Sequence, residues 1–583
     1  MMANNSFGNP YSDSRFVGFI TLVSPQTTNV HFPSSVLLKK FFSADEGFHA
    51  LVGKYVVIEG MGNGFLGKIT EISLPERERL ELTESKFDKE TFHPIGKVEI
   101  LLCFDNYQLK AKKGLDQLPP VSAKVFLCSN IFLGSLLAEF GKKENSSPKT
   151  IPLATLPGDS NHIVNVSAQS LFGRHCAVVG TTGGGKSWTV AKLIEEVIAN
   201  DGKAILIDAT GEYETLRQEK VEYYKFNNLS AGGVYFNYRN LRETDLFALF
   251  RPSQQSQLPK LQEAMKSLRL VQIINNKTLV EGDPDSVLKN DIFKTSVEHG
   301  YTTLRKNGVS ADLKYIASCK NNVSVYSQKC DFDIIALSAQ ILNECITDTG
   351  GEDRQAKYNC QSLVSRILLT TNDSSFIDVF DFKNDNANTA KDFNSLFEDF
   401  LISQNNILIL SVAEVSTENK LREILVNALG RFLLEKALNK EFKGIDKKSF
   451  LLFLDEAHLF LNKRIKDEYS IEVDLDAFER IAKECRKFGL FLILSTQMPR
   501  DIPRGVLSQM GTFVVHRLIN QNDREAIEYA CSEANKSALS FLPILGAGEA
   551  MLTGVDFPMP VILKITPPKI KPDSETPDVF LSM

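Results

Sequence analysis

The sequence predicts an α/β protein in which a largely parallel sheet flanked by helices carries a helical insertion and follows a small N-terminal β-barrel. Three observations predict it. From Phe16 to Cys128 the chain reads as short β-type runs broken by glycine and proline. After about residue 165 strand-length apolar runs alternate with amphipathic helical stretches, the pattern of a parallel sheet. At the first of those strands stands a glycine-rich loop that opens directly into a helix, Gly180-Thr-Thr-Gly-Gly-Gly-Lys186-Ser187.

Taken in order, residues 1–12 are polar and expected to be a disordered tail. Residues 13–150 form the barrel, with Phe16–Leu22, Tyr55–Glu59, Gly67–Ile72, Val98–Phe104 and Lys124–Cys128 as its strands. Met61–Gly64 and the run 75–79 are turn signals, and 141–148 reads as a linker. Residues 151–250 begin the sheet with Cys176–Val179, the helix Lys186–Ile198 and the strand Ala204–Ile207. Roughly 190 residues then separate Tyr213 from Ile407, far more than adjacent strand and helix elements need, so 251–400 is a helical insertion. Residues 401–583 resume the sheet with Ile407–Leu410, Leu451–Leu454, Phe491–Leu494 and Phe513–His516, separated by helices around 418–438 and 475–487.

Composition sets the outer limits. A chain of 583 residues is too long for one core, and 43% hydrophobic with 24% charged residues excludes a collagenous or wholly disordered protein. Net charge is −6, so any binding to nucleic acid must come from a local patch or from a pore assembled by several subunits. No apolar run approaches the ~20 residues that span a bilayer, and the N-terminus lacks a secretory pattern. Nine scattered cysteines without a Cys-x-x-Cys pair argue against disulfides or zinc and for a reducing cytoplasm.

The glycine loop carries the sharpest chemistry. Its flexible residues Gly180, Thr181, Thr182, Gly183, Gly184 and Gly185 let backbone N–H groups curl around phosphates at a helix N-terminus. Lys186 reaches the β- and γ-phosphates, the Ser187 hydroxyl ligates Mg²⁺, and Trp188 completes the nucleotide-binding stretch. The apolar run Phe450–Leu454 ends in Asp455-Glu456-Ala-His458. Asp455 would hold Mg²⁺ through water and Glu456 would polarise the attacking water; read alone, the pattern is also a helix-capping acid. His458 belongs either to the surroundings of these acids or to the core. Gln497, ending the strand Phe491–Leu494, either senses nucleotide, orients water or closes a turn. The helix Asp476–Lys487 turns Leu475, Phe478, Ile481, Ala482 and Cys485 inward and leaves Arg480, Lys483 and Arg486 toward solvent or a partner. Asp208, after the second strand, lies at the sheet's carboxyl edge. Lys463–Lys466 reads equally as a solvated loop or a DNA contact.

Together these stretches resemble the HerA-type branch of the FtsK–HerA superfamily of hexameric ATP-driven DNA motors. The matching runs are Leu171–Ser187, Asp208–Tyr213, Leu454–His458 and Glu484–Gly489 with Ser495-Thr-Gln497; Gly511–Asp523 and Gly548–Ala550 with Pro560-Val561 are weaker echoes. The resemblance implies a RecA-like P-loop core after an N-terminal docking and assembly barrel, with a C-terminal segment packing on the neighbouring subunit of a homohexameric ring around DNA. It implies ATP and Mg²⁺ as cofactors, Gln497 as γ-phosphate sensor, Arg486 as a finger acting in trans, and Arg174 as a second nucleotide arginine. Two departures stand out: Asp208-Ala-Thr-Gly replaces the usual Asp-Pro-His-Gly, and Cys485 replaces a glycine. Family members work with a companion nuclease in DNA end resection or with nuclease or NADase effectors in anti-phage defence. The expected function is therefore an ATP-hydrolysing DNA translocase or helicase. The alternative is an ATP-switched scaffold that activates an effector; a conjugative coupling ATPase is disfavoured by the missing membrane segment.

Overall fold

Alternating apolar residues close the N-terminal strands into a barrel. In the computed structural model they are β1 (Phe16–Val23), β2 (Thr27–His31), β3 (Tyr55–Ile58), β4 (Asn63–Ser73), β5 (Ile95–Asp105), β6 (Ala111–Lys112) and β7 (Lys124–Leu127). Their order is β2-β1-β7-β3-β4-β5-β6, and an additional β2–β5 pairing closes six antiparallel strands on themselves. Val17, Ile20, Val30, Val56, Phe65 and Val98 fill the interior. The structure describes residues 9–25, 27–33, 51–75, 93–106, 111–112, 117–140, 149–157, 159–226, 233–275, 293–298, 301–306, 323–346, 351–383, 390–443, 449–461, 463–465, 472–531, 536–557 and 559–574. Most of the expected tail, the linker 141–148 and most of the turn 75–79 lie outside these residues. Tyr11, however, donates to Asn106 Oδ1 at 2.5 Å and packs edge-on against Phe126.

The chain divides into two units. The first comprises Met1–Gly202, Lys447–Leu454 and Ala482–Met583. Beside the barrel it holds eight consecutive sheet strands, in the order Phe450–Leu454, Leu490–Thr496, His175–Val179, Met510–His516, Glu549–Gly554, Val561–Ile565, Thr150–Leu156 and Asp159–Ser167. The first four pair in parallel. Their continuous runs of Val, Ile, Leu and Phe suit a sheet covered on both faces. The remaining pairings are antiparallel, which sequence patterning missed. Glu549–Gly554 and Val561–Ile565 are joined by too short a link for a parallel crossover. The C-terminal segment, expected to pack on a neighbour, thus adds strands to its own chain's sheet as far as it is described. Beyond them the Lys569 and Ile570 N–H groups donate to Glu195 on the helix Lys186–Ala199.

The second unit comprises Lys203–Asp446 and Asp455–Ile481. Three parallel strands, Val221–Lys225, Ile407–Ser411 and Lys203–Asp208, lie in that order. Among the described residues of 251–400 helices predominate, Gln257–Asn275, Arg354–Asn372 and Phe393–Ile402 among them. It also holds an antiparallel pair, Phe293–Glu298 with Tyr301–Lys306, where threonines and a valine favour strand over helix in runs too short for a helical repeat. Helix Leu421–Leu438 is fixed by a buried Arg431–Asp245 fork. The Phe478 ring fills the notch at Gly430, where an added Cβ would come within 2.9 Å of it.

Candidate active site

In the first unit the glycine loop follows the fully buried strand His175–Val179. Gly183 (φ 73°) and Gly185 (φ 106°) adopt left-handed backbone, which lets the loop turn back to a helix that begins at Lys186. A Cβ on Gly180 would meet His516 Cβ at 2.6 Å, and one on Gly185 would meet Gly548 Cα at 3.1 Å. The loop is braced from three sides: Thr181 N–H donates to Arg517 O, Gly180 N–H to Thr496 O, and Gly548 N–H to Gly184 O. Lys186 is 6% exposed, Ser187 is half-buried, and Lys571 Nζ lies 5.1 Å from the Trp188 ring.

Gln497 directly follows the strand Leu490–Thr496, which lies between the glycine-loop strand and the acidic strand. The Thr182 hydroxyl donates to Gln497 Oε1 at 2.7 Å, so the glutamine reaches the loop itself. Arg174 is placed differently from expectation. Its Nε and Nη2 form a two-pronged pair with Asp556 at 2.6 and 3.0 Å, and its stem lies across Gly511. In this conformation the guanidinium is committed to a carboxylate of its own chain. Arg486 is exposed on the 3-10 turn Cys485–Phe488, and among the described residues no carboxylate lies within 4 Å of it. The inward face Leu475, Phe478, Ile481, Ala482 and Cys485 is buried as the helical spacing requires.

Sequence reading missed His516 as a brace of this loop. Its ring is wholly buried: Nδ1 donates to Glu549 O at 2.9 Å and Nε2 accepts from Thr189 Oγ1 at 2.8 Å, which defines a neutral tautomer. Burial, with Lys186 nearby, pulls its pKa down to about 4. The one available signal was its place at the end of an apolar strand.

The second unit holds the acids. The Asp455 N–H donates to Ile207 O at 3.1 Å. Asp455 and Glu456 are 1% and 5% exposed, and Glu456 sits at φ 43°, left-handed backbone that a glutamate rarely adopts. His458 Nδ1 lies 3.1 Å from Glu456 Oε2, next to the acids rather than in the core. Buried Asp208 accepts from the N–H groups of Thr210, Gly211 and Tyr213 at 3.2, 2.8 and 3.3 Å. Burial pushes its carboxyl up, opposed by those donors. Thr210, one of the two residues that depart from the usual motif, donates to Asp455 Oδ2 at 3.4 Å and ties the second strand's loop to the acidic pair. Lys463 and Arg464 belong to the strand Lys463–Ile465; Lys466 lies outside the described residues.

A glycine loop between parallel strands at the head of a helix defines a P-loop ATPase fold. The family model of the HerA helicase central domain matches residues 151–433, and that of the HerA-like C-terminal region matches 434–573. The chain belongs to the HerA helicase family. Relatives include the probable helicase MJECL08 of Methanocaldococcus jannaschii, 26% identical over 71% of this chain and 70% of that protein. The probable DNA double-strand break repair helicase HerA of the same organism is 23% identical over 94% of this chain and 95% of its own. Among solved structures the bacterial conjugative coupling protein TrwBdeltaN70 aligns over 76% of this chain and 94% of its own, at 12% identity and a TM-score of 0.43. No described helix is long and apolar enough to cross a membrane.

Proposed function

We propose that this chain is an ATP-hydrolysing, hexameric DNA translocase or helicase that works with a separate nuclease or NADase effector in DNA end processing or anti-phage defence. The observation that carries the reading is the glycine loop: left-handed glycines, a buried lysine at the head of a helix and a glutamine bonded to the loop's rim. Lys186 and the loop N–H groups of Thr182, Gly183, Gly185, Lys186 and Ser187 hold the triphosphate, with Trp188 beside it; the Gly180, Thr181 and Gly184 N–H groups brace the loop instead. The donor set fits Mg²⁺, a hard cation that takes one or two protein oxygens and completes its shell with phosphate and water. Ser187 would ligate it and Asp455 would hold it through water. When bound, the ion offsets phosphate charge. Glu456 takes a proton from the attacking water, Gln497 registers the γ-phosphate, and Arg486 serves a neighbouring subunit's site. Arg174 joins the nucleotide only if its pair with Asp556 opens. The barrel serves docking and assembly, and the site of work is cytoplasmic.

The test is ATPase activity with and without duplex DNA over a salt series, with Lys186→Ala as control. DNA stimulation that fades steeply with salt supports translocation, since phosphate contacts weaken as counterions compete. Hydrolysis indifferent to DNA at low salt leaves the ATP-switched scaffold; unchanged nucleotide affinity in folded Lys186→Ala overturns the site itself.

A further inference from the structure

The first unit also holds a cavity whose lining does not include the glycine loop itself. Its volume is about 260 Å³, and its walls include Tyr55, Lys68, Leu133, Phe541, Ile544 and Glu549. Most of this lining is apolar, yet Lys68 is only 8% exposed. Among the described residues no carboxylate lies within 4 Å of its ammonium. Nζ instead rests 3.8 Å from the Phe541 ring centroid and 5.8 Å from that of Tyr55. Burial lowers its pKa to about 8, against the pull of Glu99 on the next strand. A buried cation that rests on aromatic faces, with a carboxylate no nearer than the next strand, is costly to keep, and the space beside it suits an anion.

The cavity's far wall touches the nucleotide machinery. Glu549 accepts the His516 Nδ1 bond through its carbonyl, and Gly548 N–H donates to Gly184 O in the glycine loop at 3.2 Å. The segment from Phe541 to Glu549 thus lines the cavity at one end and braces the loop at the other.

We propose that this cavity binds a small monoanion with a flat apolar body, of the aromatic carboxylate class, whose charge Lys68 neutralises, and that its occupancy tunes nucleotide affinity through the segment Phe541–Glu549. The tuning rests on reading the glycine loop as a nucleotide site; the binding does not.

The probe is 2-naphthoate, titrated calorimetrically into the full-length protein. Saturable one-to-one binding below about 1 mM is expected. Lys68→Met keeps chain length without charge and should weaken it about tenfold or more. Neutral 2-naphthamide should bind the wild type weakly and be indifferent to that change. Ile544→Trp, at the exposed rim, should block binding with Lys68 intact, so loss of fold in one variant does not decide the matter. Saturating 2-naphthoate should alter ADP affinity, and ADP should alter 2-naphthoate affinity by the same factor. No saturable binding, or equal affinity in Lys68→Met, overturns the site; an unmoved ADP affinity overturns the coupling alone. If ADP binds nowhere while 2-naphthoate binds, the glycine-loop reading falls and the cavity's stands.

Discussion

Glu456 holds a left-handed backbone angle next to a buried aspartate, an arrangement that costs of order 1–3 kcal/mol and is kept where surrounding contacts enforce it. Such a carboxylate suits a base that must face water at one fixed angle. Glu456→Gln keeps the shape and removes the basicity. ATP binding should persist while kcat falls about 10²–10⁴-fold; wild-type turnover in that variant would place water activation elsewhere. At this scale the loop residues from Gly180 to Ser187 and the pair Asp455-Glu456 were legible, because phosphate wrapping and strand-end acids impose residue types at fixed local spacing. Thr210 and His516 were not. Their partners, Asp455 and Thr189, lie far away in sequence, and a threonine or a lone histidine carries no local signature.

At the scale of elements, two buried histidines mark the strands beside the loop. His175 opens the glycine-loop strand, and its Nδ1 accepts from Leu492 N–H at 2.8 Å. His516 closes the next strand. Burial holds each near pKa 4, against an ordinary 6.5. Between pH 6.5 and 4 the unfolded chain therefore binds more protons than the folded one. Stability is fully present above 6.5 and declines as pH falls through this window, by a few kcal/mol in all. Thermal melts from pH 7 to 4 should show this, and a His175→Asn/His516→Gln variant should have a shallower slope. An identical slope would assign acid sensitivity to carboxylates alone. Most central strands were readable from continuous apolar runs. Val221–Lys225 was not, because its alternation is broken by charge at an edge position, and the C-terminal strands were not, because antiparallel additions lack the strand–helix rhythm.

For the molecule as a whole, the decisive question is whether Arg486 acts across a subunit boundary. Its turn is anchored by buried Cys485 and stopped by Gly489 at φ 87°, and Arg486 between them is exposed. An arginine that meets transition-state charge on a transferring phosphoryl group is worth on the order of 10³–10⁵ in rate. Arg486→Ala should bind ATP normally and hydrolyse it slowly. Mixing it with Lys186→Ala subunits should restore part of the activity, wherever an intact arginine faces an intact loop. No recovery despite verified subunit exchange would make Arg486 a cis or structural residue, or the ring concerted. Titrating wild-type subunits of the proposed ring with Glu456→Gln subunits separates these, since concerted firing would lose activity steeply with mutant fraction.

The glycine-loop strand His175–Val179 pairs with Leu490–Thr496 on one side and Met510–His516 on the other. Both partners come from far downstream. During synthesis this fully buried, mostly apolar strand leaves the ribosome with neither edge covered, and it waits for most of the chain to follow. Pairings this remote in sequence form slowly, and open strand edges recruit other chains meanwhile. The nascent protein therefore exposes an unpaired core strand early and covers it late, which makes it a natural client for chaperones that shield apolar strands until the last third of the chain arrives.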